Sequence, residues 1–563
     1  MSQRTLLPMR LSRPVVLVAA ALEALALRWW NGSSDGKVKL SSLALSFGLF
    51  VIGNFVVCGL YFTFIYPFYV SPTRNLPTAA DRHWFLGHMP QLWRSPGGRC
   101  SRPWNKEVEH DGLLRFFMAF NIERLLAISP QAVADITVHN AYDWEKDSRV
   151  RSALSTVTGV GLITSEGDEH QRQRRHMQPA FAFRLVKNLY PVFWDKSREV
   201  VQALTRRVRG GEAQMYVTPW ASRVTLDIIG MATMGHDFSA VRDPDNKLVA
   251  QYTRVFEDQS LLRIFLMLGV LMPQWMISKL PVKRIRRFDD AMDAIRRVCQ
   301  ELIEEKRAKL REQEKDKTIE PDVDILSTAI QSEQFTDEGL QNQLMTFFAA
   351  GHETTSVSLT WAIYALCLNP AMQTRLRAEV RAHLPSVDDD DAPAPTSVEI
   401  DRLVFLNAVV NETLRLYPAV PVTGRFAVKD TMVMGMPVAR GTAVAIPQWA
   451  INADKGLWGD DAEAFNPDRW IDVRDDGVAT LNKTGGAKRN YAMTTFLHGP
   501  RNCIGAGFAK GEFACLLAAW IGRFEFELVD KTLMDPEKIT VGGGVTIKPK
   551  DGLHVIAREV PGY

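Results

Sequence analysis

One of the six cysteines in this chain, Cys503, lies in a setting that suits a metal ligand. Gly499 and Pro500 predict a tight turn just before it, and an apolar helix is predicted to start soon after it. The N-terminus of a helix favours the thiolate over the thiol, and the thiolate is the form that binds a metal. Gly505 and Gly507 would let a large group approach the backbone closely. The sequence therefore predicts a metal ligand at Cys503. The other cysteines, which lack C-x-x-C spacing, are expected to be buried, reduced side chains.

An acid and an alcohol interrupt the long apolar run 344–368, which reads LMTFFAAGHETTSVSLTWAIYALCL. Side by side, Glu353 and Thr354 could pass protons to a reacting group. The alternative is that the Thr354 hydroxyl donates to the carbonyl four residues earlier and only perturbs the helix. The run is long enough for a membrane span, but polar residues at its middle would be costly in lipid. We therefore predict a buried central helix that carries both residues.

Three further sets of charged residues have informative spacing. Glu412 and Arg415, in FLNAVVNETLRLYP, are three apart on one helical face, and their apolar neighbours predict a buried pair. His170 and Arg174 lie one helical turn apart, as two anion-binding donors would, although a solvated basic surface is the alternative. Arg501 lies two residues before Cys503 and could pair with an anion there.

Together these motifs resemble those of the cytochrome P-450 family. The family's haem-binding loop, F-x-x-G-x-R-x-C-x-G, is matched by Phe496, Gly499, Arg501, Cys503 and Gly505. Residues 350–355 resemble its oxygen-activation motif, A/G-G-x-D/E-T-T/S. Glu412 and Arg415 resemble its E-x-x-R helix, with Arg469 of FNPDRW as the third member of a triad. The resemblance covers roughly Leu76 to the C-terminus.

The resemblance implies a mainly α fold with small β-sheets, in which haem b lies between the acid–alcohol helix and the cysteine loop. Cys503 would be the thiolate ligand of the iron, with Phe496 over the sulfur and Gly505 giving room for the porphyrin. The family's W-x-x-x-R propionate contact would fall on His170 and Arg174, with histidine in place of tryptophan. Further propionate contacts would come from Arg425 and Arg501. Glu353 and Thr354 would deliver protons, and the Glu412–Arg415–Arg469 triad would hold the core behind the haem.

The implied activity is that of a haem-thiolate monooxygenase, which uses O2 to insert one oxygen atom into a lipophilic small molecule. A secondary-metabolite hydroxylase or oxidase is the first expectation, and a fatty-acid or alkane hydroxylase is the alternative. From other classes, a haem-thiolate isomerase or dehydratase and a non-catalytic haem-binding protein are also possible, although the intact relay motif argues against the isomerase. The candidate pocket residues by resemblance are mostly apolar: Phe348, Ala350, Val420 and Val422.

Electrons would come from NADPH through a separate reductase, because the chain has no flavin or nicotinamide fingerprint. Lys488, Arg489 and Lys510 are candidate docking residues for this partner, and a solvated surface is the alternative. The formal net charge of +3 gives no general electrostatic footprint for nucleic acid.

Two apolar stretches come before the main body of the chain. The first, about Pro14 to Leu27, carries Glu23 and is similar to the apolar core of a signal peptide. The second, about Leu43 to Tyr66, has no charge and is long enough to cross a hydrocarbon core of ~30 Å. We predict a membrane span at 43–66; if the first stretch inserts too, the two form a hairpin. The expected location is the endoplasmic reticulum membrane, with the catalytic domain facing the cytosol.

The expected organisation is an N-terminal anchor and linker over 1–75, followed by one haem-thiolate monooxygenase domain over 76–563. Short apolar runs around Asn121 predict a β-hairpin, and helical periodicity dominates from about Pro130. The charged segment REQEKDKTIEPD and the acidic segment SVDDDDAPAPTS are predicted to be solvated loops.

Overall fold

The computed structural model describes residues 13–30, 40–95, 98–208, 212–243, 283–316 and 324–563, and the single positions 246, 250 and 276. The chain is mainly helical with small sheets, as predicted. It divides into two compact units. One comprises 1–95, 103–144 and 424–446, and the other comprises 96–102, 145–423 and 447–563.

Two long apolar helices open the first unit: α1 (Arg13–Trp30) and α2 (Leu40–Leu60). From Tyr61 to Val70 the second helix continues in a π-helical pattern. The predicted span 43–66 lies within this continuous helix, which ends four residues later than predicted and passes through Pro67. A proline removes one backbone donor, and the wider π pattern is a common way to absorb such an interruption.

The first unit also contains most of a five-stranded sheet. Strands β1 (Leu113–Phe117) and β2 (Glu123–Ala127) are antiparallel, so the predicted hairpin is confirmed. Phe120 and Asn121 turn the chain between them with φ values of 61° and 50°. Further strands are β3 Trp144–Glu145, β4 Glu212–Tyr216, β5 Thr423–Ala427, β6 Thr431–Val433, β7 Met436–Val438, β8 Ala443–Ile446, β9 Ile471–Val473, β10 Ala479–Leu481, β11 Phe524–Leu528, β12 Val541–Gly542, β13 Lys548–Pro549 and β14 His554–Glu559. The sheet order is β1-β2-β8-β5-β3, with β8 parallel to β2.

Most helices belong to the second unit, which contains the large hydrophobic core. The helices after α2 are α3 Met89–Arg94, α4 Ser101–Glu107, α5 Pro130–Ala134, α6 Ser148–Thr158, α7 Gly167–Met177, α8 Phe183–Lys187, α9 Tyr190–Val208, α10 Val217–Met234, α11 Lys283–Lys315, α12 Ile325–Gln331, α13 Asp337–Leu368, α14 Pro370–His383, α15 Ser397–Asp401, α16 Val404–Leu416, α17 Gln448–Ile451, α18 Lys455–Trp458 and α19 Ala506–Arg523. Strands β4, β14 and β11 form a small sheet at the edge of this core.

Helix α13 is the predicted central helix, and it is buried along most of its length. The side chain of Thr336 accepts a hydrogen bond from the Gly339 N–H, so a side-chain cap starts the helix. Helix α16 begins differently: the Glu379 carboxylate of α14 accepts hydrogen bonds from the N–H groups of Phe405 and Leu406 at 2.8 and 2.7 Å. A carboxylate at a helix N-terminus is stabilised by the free N–H groups and by the helix dipole.

The prediction that REQEKDKTIEPD forms a loop is wrong for its first five residues, Arg311 to Lys315. Helix α11 continues through Lys315, because Arg311 to Lys315 are good helix formers and complete the last turn. Residues 317–323 lie outside the described residues. The acidic loop SVDDDDAPAPTS is confirmed, since no helix or strand forms between His383 and Ser397.

Candidate functional site

The loop that carries Cys503 is closed by its own backbone. The Cys503 N–H donates to the Phe496 carbonyl at 2.9 Å. Between them the chain turns through a 3-10 turn at Gly499–Arg501, which Gly499 enters with a φ of 72° that favours glycine. Helix α19 then starts at Ala506. Among the six cysteines Cys503 is the exposed one, whereas Cys58 is half-buried and the other four are buried.

Two opposing influences act on the Cys503 sulfur. The side chain is accessible, yet the protein around it raises the pKa of the thiol by desolvation. The Gly505 N–H and the Arg174 guanidinium oppose this shift. Helix α19 starts three residues after the cysteine, so the predicted stabilisation of the thiolate by a helix N-terminus is only partial in the protein alone. A cation at the sulfur would complete it, since metal coordination deprotonates a thiol.

Helix α7 and the residue before it, Glu166, contact this loop through charged side chains. Arg174 donates through Nη1 to the carbonyl of Asn502 at 2.6 Å and through Nη2 to Oδ1 of Asn502 at 2.7 Å. Arg501 forms a buried ion pair with Glu166, and the Lys146 ammonium lies 3.6 Å from the same carboxylate. These contacts place the Arg174 guanidinium beside the loop that holds Cys503 and tie Arg501, within that loop, to Glu166.

The two remaining predicted anion contacts occupy different places. His170 is buried in α7, one turn before Arg174. Arg425 belongs to the first unit, where it is buried and donates to the Gly424 carbonyl at 2.8 Å. Burial lowers the pKa of Arg425 to about 10, which still leaves the guanidinium charged at neutral pH.

Glu353 and Thr354, the acid and the alcohol of α13, lie within a partly accessible stretch of an otherwise buried helix. Ala349, Ala350, Glu353 and Thr354 are half-buried, whereas the helix on both sides is buried. The Glu353 carboxylate accepts a hydrogen bond from the Thr546 hydroxyl at 2.8 Å. The Thr354 hydroxyl donates to the Ala350 carbonyl at 2.7 Å, which is the back-bonded geometry considered as the alternative. The hydroxyl oxygen of Thr354 can still accept a proton or a hydrogen bond in this position.

A second acid, Glu512 on α19, is fully buried and faces the same region of α13. Among the described residues neither of its oxygens has a hydrogen-bond partner of normal geometry. The nearby Thr355 hydroxyl, which donates to the Gly351 carbonyl, only partly offsets the loss of water. Burial therefore raises the pKa of Glu512 well above its usual range, which favours the protonated carboxyl.

The predicted charged triad forms as one buried network. The Glu412 carboxylate accepts from Nε and Nη2 of Arg415 at 2.8 and 2.7 Å, and from Nε of Arg469 at 3.2 Å. Trp470 Nε1 and the Asn466 N–H complete its shell at 3.0 and 2.9 Å. Both Glu412 and Arg415 are fully buried.

The comparisons with known proteins agree with this geometry. The family model described as cytochrome P-450 matches residues 77–555. This chain belongs to the cytochrome P-450 family. It is similar to cytochrome P-450 monooxygenase sphH of Aspergillus fumigatus, with 42% identity over 92% of this chain and 93% of the relative. It is also similar to cytochrome P-450 monooxygenase ALT8 of Alternaria alternata, with 36% identity over 97% of this chain and 99% of the relative. The chain is therefore an oxidoreductase of the monooxygenase class, and its family uses haem iron and O2.

The residues of this P-450 fit a haem. A single accessible thiol on a closed loop offers one axial thiolate, as haem-thiolate proteins require. A Cβ added to Gly507 would meet no atom within 4 Å, and one added to Gly505 would meet only a ring carbon of Phe181 at 3.8 Å, so the backbone is open there. Arg174, which donates to neutral oxygens of Asn502, supplies positive charge beside the loop, which suits carboxylate groups such as the propionates. Arg501 is already paired with Glu166.

Sequence reasoning missed four residues that contact the predicted ones. They are Glu166, which pairs with Arg501; Asn502, which binds Arg174; Thr546, which donates to Glu353; and Glu512, which lies near Thr355. Only Asn502 had a signal, because it lies inside the haem-loop motif at a variable position. Among the pocket candidates, Ala350, Val420 and Val422 are half-buried, whereas Phe348 is buried and packs against Phe238 with ring centroids 5.3 Å apart.

Proposed function

We propose that this P-450 inserts one oxygen atom from O2 into a lipophilic small molecule, and that this molecule is a secondary metabolite. The observation that carries the proposal is the accessible Cys503 thiol on its closed loop, with the Arg174 guanidinium beside it. Cys503 would hold the haem iron through its thiolate, and haem held in this way would supply the oxygen-activating chemistry.

Helix α13 would deliver the protons that the reaction consumes. Glu353 is half-buried and is held by the Thr546 hydroxyl, so its carboxylate has a fixed direction at the open stretch of the helix. Thr354 follows at once, and its oxygen can accept and pass on a proton while its hydrogen bonds to Ala350.

The relay has a test with a matched control. Thr354→Ala should increase the share of NADPH electrons that end as hydrogen peroxide rather than product. Thr360→Ala removes another back-bonded hydroxyl from the buried part of the same helix and should leave this share unchanged. Equal peroxide yields from the two variants would contradict a relay through Thr354.

The lipophilic substrate class follows from the apolar side chains that remain partly accessible. Ala350, Val420 and Val422 are half-buried and carry no polar group that could orient a charged ligand. A pocket with such walls favours ligands that bury apolar surface. A fatty-acid or alkane hydroxylase is the second candidate, because such a chain would suit the same apolar side chains.

The electrons would come from NADPH through a separate membrane-bound reductase. Lys488 and Arg489 are exposed and can meet an acidic partner. Lys510 already donates to Oδ1 of Asn411 at 2.9 Å, so we rank it below the other two as a docking residue. The apolar helix at Ser41–Val70 would anchor the enzyme in the endoplasmic reticulum membrane, with the catalytic part in the cytosol.

The absorption spectrum of the reduced, carbon-monoxide-bound protein tests the central claim. The full-length protein should show the strongly red-shifted Soret band of thiolate-ligated haem, and Cys503→Ala should lose it. Cys515→Ala is the matched control, because this cysteine is fully buried in the next helix and should not affect the band. If the band persists in Cys503→Ala, the assignment of the iron ligand is wrong.

Turnover with reductase and NADPH then tests the reaction class. Incubation with a panel of lipophilic metabolites, fatty acids and alkanes should give products that carry one oxygen atom from ¹⁸O2. A product that forms without O2 or NADPH would instead identify a haem-thiolate isomerase or dehydratase.

A further inference from the structure

Helix α1 has a small-residue face and a large apolar face. Val16, Ala20 and Ala24 follow one another at four-residue spacing and are 4%, 0% and 3% exposed, because this face packs against α2. The opposite face carries larger apolar side chains that are exposed: Val18, Leu22 and Leu25. A helix at the surface of a water-soluble protein has polar residues on its outer face. The outer face of α1 has the composition that lipid favours.

The contact between the two helices contains a polar bond. Nδ2 of Asn54 on α2 donates to Oε2 of Glu23 on α1 at 2.8 Å. Glu23 is the charged residue that weakens a purely apolar interpretation of the first stretch, and here its carboxyl group points into the helix–helix contact. Small residues at the contact and a hydrogen bond across it are the two devices that hold helices together inside a bilayer.

We infer that α1 and α2 form a transmembrane hairpin, in which both helices cross the bilayer and lipid chains cover the outer face of α1. This inference rests on the proposed membrane anchor and extends it to a second span. The 18 residues of α1 reach about 27 Å at ~1.5 Å per residue, close to the hydrocarbon thickness of the endoplasmic reticulum membrane. The small-residue face of α1 packs against the apolar helix Ser41–Val70, which is the candidate span by length and composition.

The basic residues around the two helices are divided between the two sides of a hairpin. Five of them would lie on the cytosolic side, whereas Arg28, at the end of α1, and Lys37 and Lys39, between the helices, would lie on the other side. Cytoplasmic flanks of membrane spans are enriched in Lys and Arg. A hairpin places the basic residues before α1 on the same side as those after α2, whereas a single span would place them on opposite sides. The residues concerned are Arg4, Arg10 and Arg13 before α1, and Arg74 and Arg82 after α2. Trp29 and Trp30, both exposed at the end of α1, suit the aromatic belt at a membrane surface.

Glycosylation mapping of the full-length protein in microsomes distinguishes the topologies. An Asn-x-Thr acceptor on a long Gly/Ser spacer is placed either ahead of Met1 or within residues 31–39. A hairpin predicts a glycan on the 31–39 acceptor and none on the N-terminal acceptor. Glycans at both positions would show a single span and overturn the inference. Loss of the N-terminal acceptor by cleavage, or no glycan at either position, would overturn it as well.

Two controls separate this result from the proposed function. The native Asn482-Lys483-Thr484 sequence should carry no glycan if the catalytic part faces the cytosol, and a glycan there would contradict that orientation instead. The carbon-monoxide spectrum is measured on the same preparations. A normal spectrum with glycans at both positions would leave the enzyme assignment intact and remove only the hairpin.

A cross-link tests the packing directly. In Glu23→Cys/Asn54→Cys, the two new thiols replace side chains that are in hydrogen-bond contact, so a mild oxidant should join them within one chain. The matched pair Leu22→Cys/Asn54→Cys places one thiol on the exposed face of α1 and should not react. Equal cross-linking in both pairs, or none in the first, would contradict the helix contact. Protease cleavage between 31 and 39 makes the cross-link visible as a retained fragment.

Discussion

The carboxylate of Glu412 offers a sharp test of how the core is held together. It is fully buried and accepts five hydrogen bonds, two from Arg415 and one each from Arg469, Trp470 and the Asn466 N–H. In Glu412→Gln the shape is kept, but the negative charge is lost and the buried Arg415 has no anion. Removing one partner of a buried ion pair typically costs about 3–5 kcal/mol, because it leaves an uncompensated charge.

The surroundings of Arg415 place Glu412→Gln at the lower end of that range. Its guanidinium also donates to the carbonyls of Asn452, Ala462 and Ala464 at 2.6, 2.6 and 3.1 Å, so part of its solvation remains. We therefore expect a loss of about 3 kcal/mol for Glu412→Gln, and about 5 kcal/mol for Glu412→Ala, which adds a cavity. Since domains are typically stable by only ~5–15 kcal/mol, either change is large.

The measurement is the midpoint and slope of guanidinium unfolding, followed by tryptophan fluorescence on the haem-loaded protein, with the Soret band recorded alongside to follow haem loss. Asp468→Asn is the matched control. Asp468 pairs with Arg375 at 2.8 Å in the segment next to Arg469, but both side chains are half exposed. An exposed pair contributes only ~0–1 kcal/mol. If Glu412→Gln destabilises the protein no more than Asp468→Asn does, the reasoning from burial is wrong.

Three further changes have defined outcomes. The parent protein should lose stability relative to Glu512→Gln as the pH rises above 4.5. The pKa of Glu512 is raised in the folded state, so its carboxyl favours the fold only while it is protonated. Parallel curves of melting temperature against pH for the two proteins would contradict this. Burial raises the pKa of Asp227 from 3.8 to about 6. The free energy of unfolding should therefore fall by about 3 kcal/mol between those pH values, and it should fall less in Asp227→Asn. The same dependence of the unfolding free energy on pH in both proteins, measured by denaturant titration, would refute the shift. Thr546→Val removes the hydroxyl that donates to Glu353 and should raise the release of hydrogen peroxide without changing the carbon-monoxide spectrum. Thr546→Ser keeps a hydroxyl and should keep peroxide release low. Equal peroxide yields from the two variants would show that this hydrogen bond is not used.

Local spacing predicted the parts of the site that lie within one helix or one loop. The pair Glu412–Arg415 is an example, because a separation of three residues on one helix already brings the side chains together. The turn before Cys503 is another, since Gly499 permits the positive φ that the turn needs and Pro500 restricts its own φ. These predictions needed no knowledge of the chain's path through space.

Contacts between distant segments could not be predicted in the same way. Glu353 and Thr546 are 193 residues apart in sequence, and the loop 543–547 has no pattern that points to an acid on α13. The acceptors of Arg415 at Asn452, Ala462 and Ala464 are backbone carbonyls, which every residue has. Helix ends were also uncertain, as the π-helical turn through Pro67 shows, because they depend on small differences in hydrogen bonding.

The triad also determines when the core can close during synthesis. Glu412 and Arg415 leave the ribosome together, but most of the groups that neutralise or solvate them follow later in the chain, as far as Trp470. At ~5–20 residues per second, Trp470 follows Arg415 by roughly 3–11 s. During that interval the Glu412–Arg415 pair on helix α16 lacks most of its other hydrogen-bond partners. Burying the pair would then cost free energy, which favours a solvent-exposed helix α16 until those partners have been synthesised. The buried network around Glu412 can therefore be completed only after the chain has been synthesised as far as Trp470.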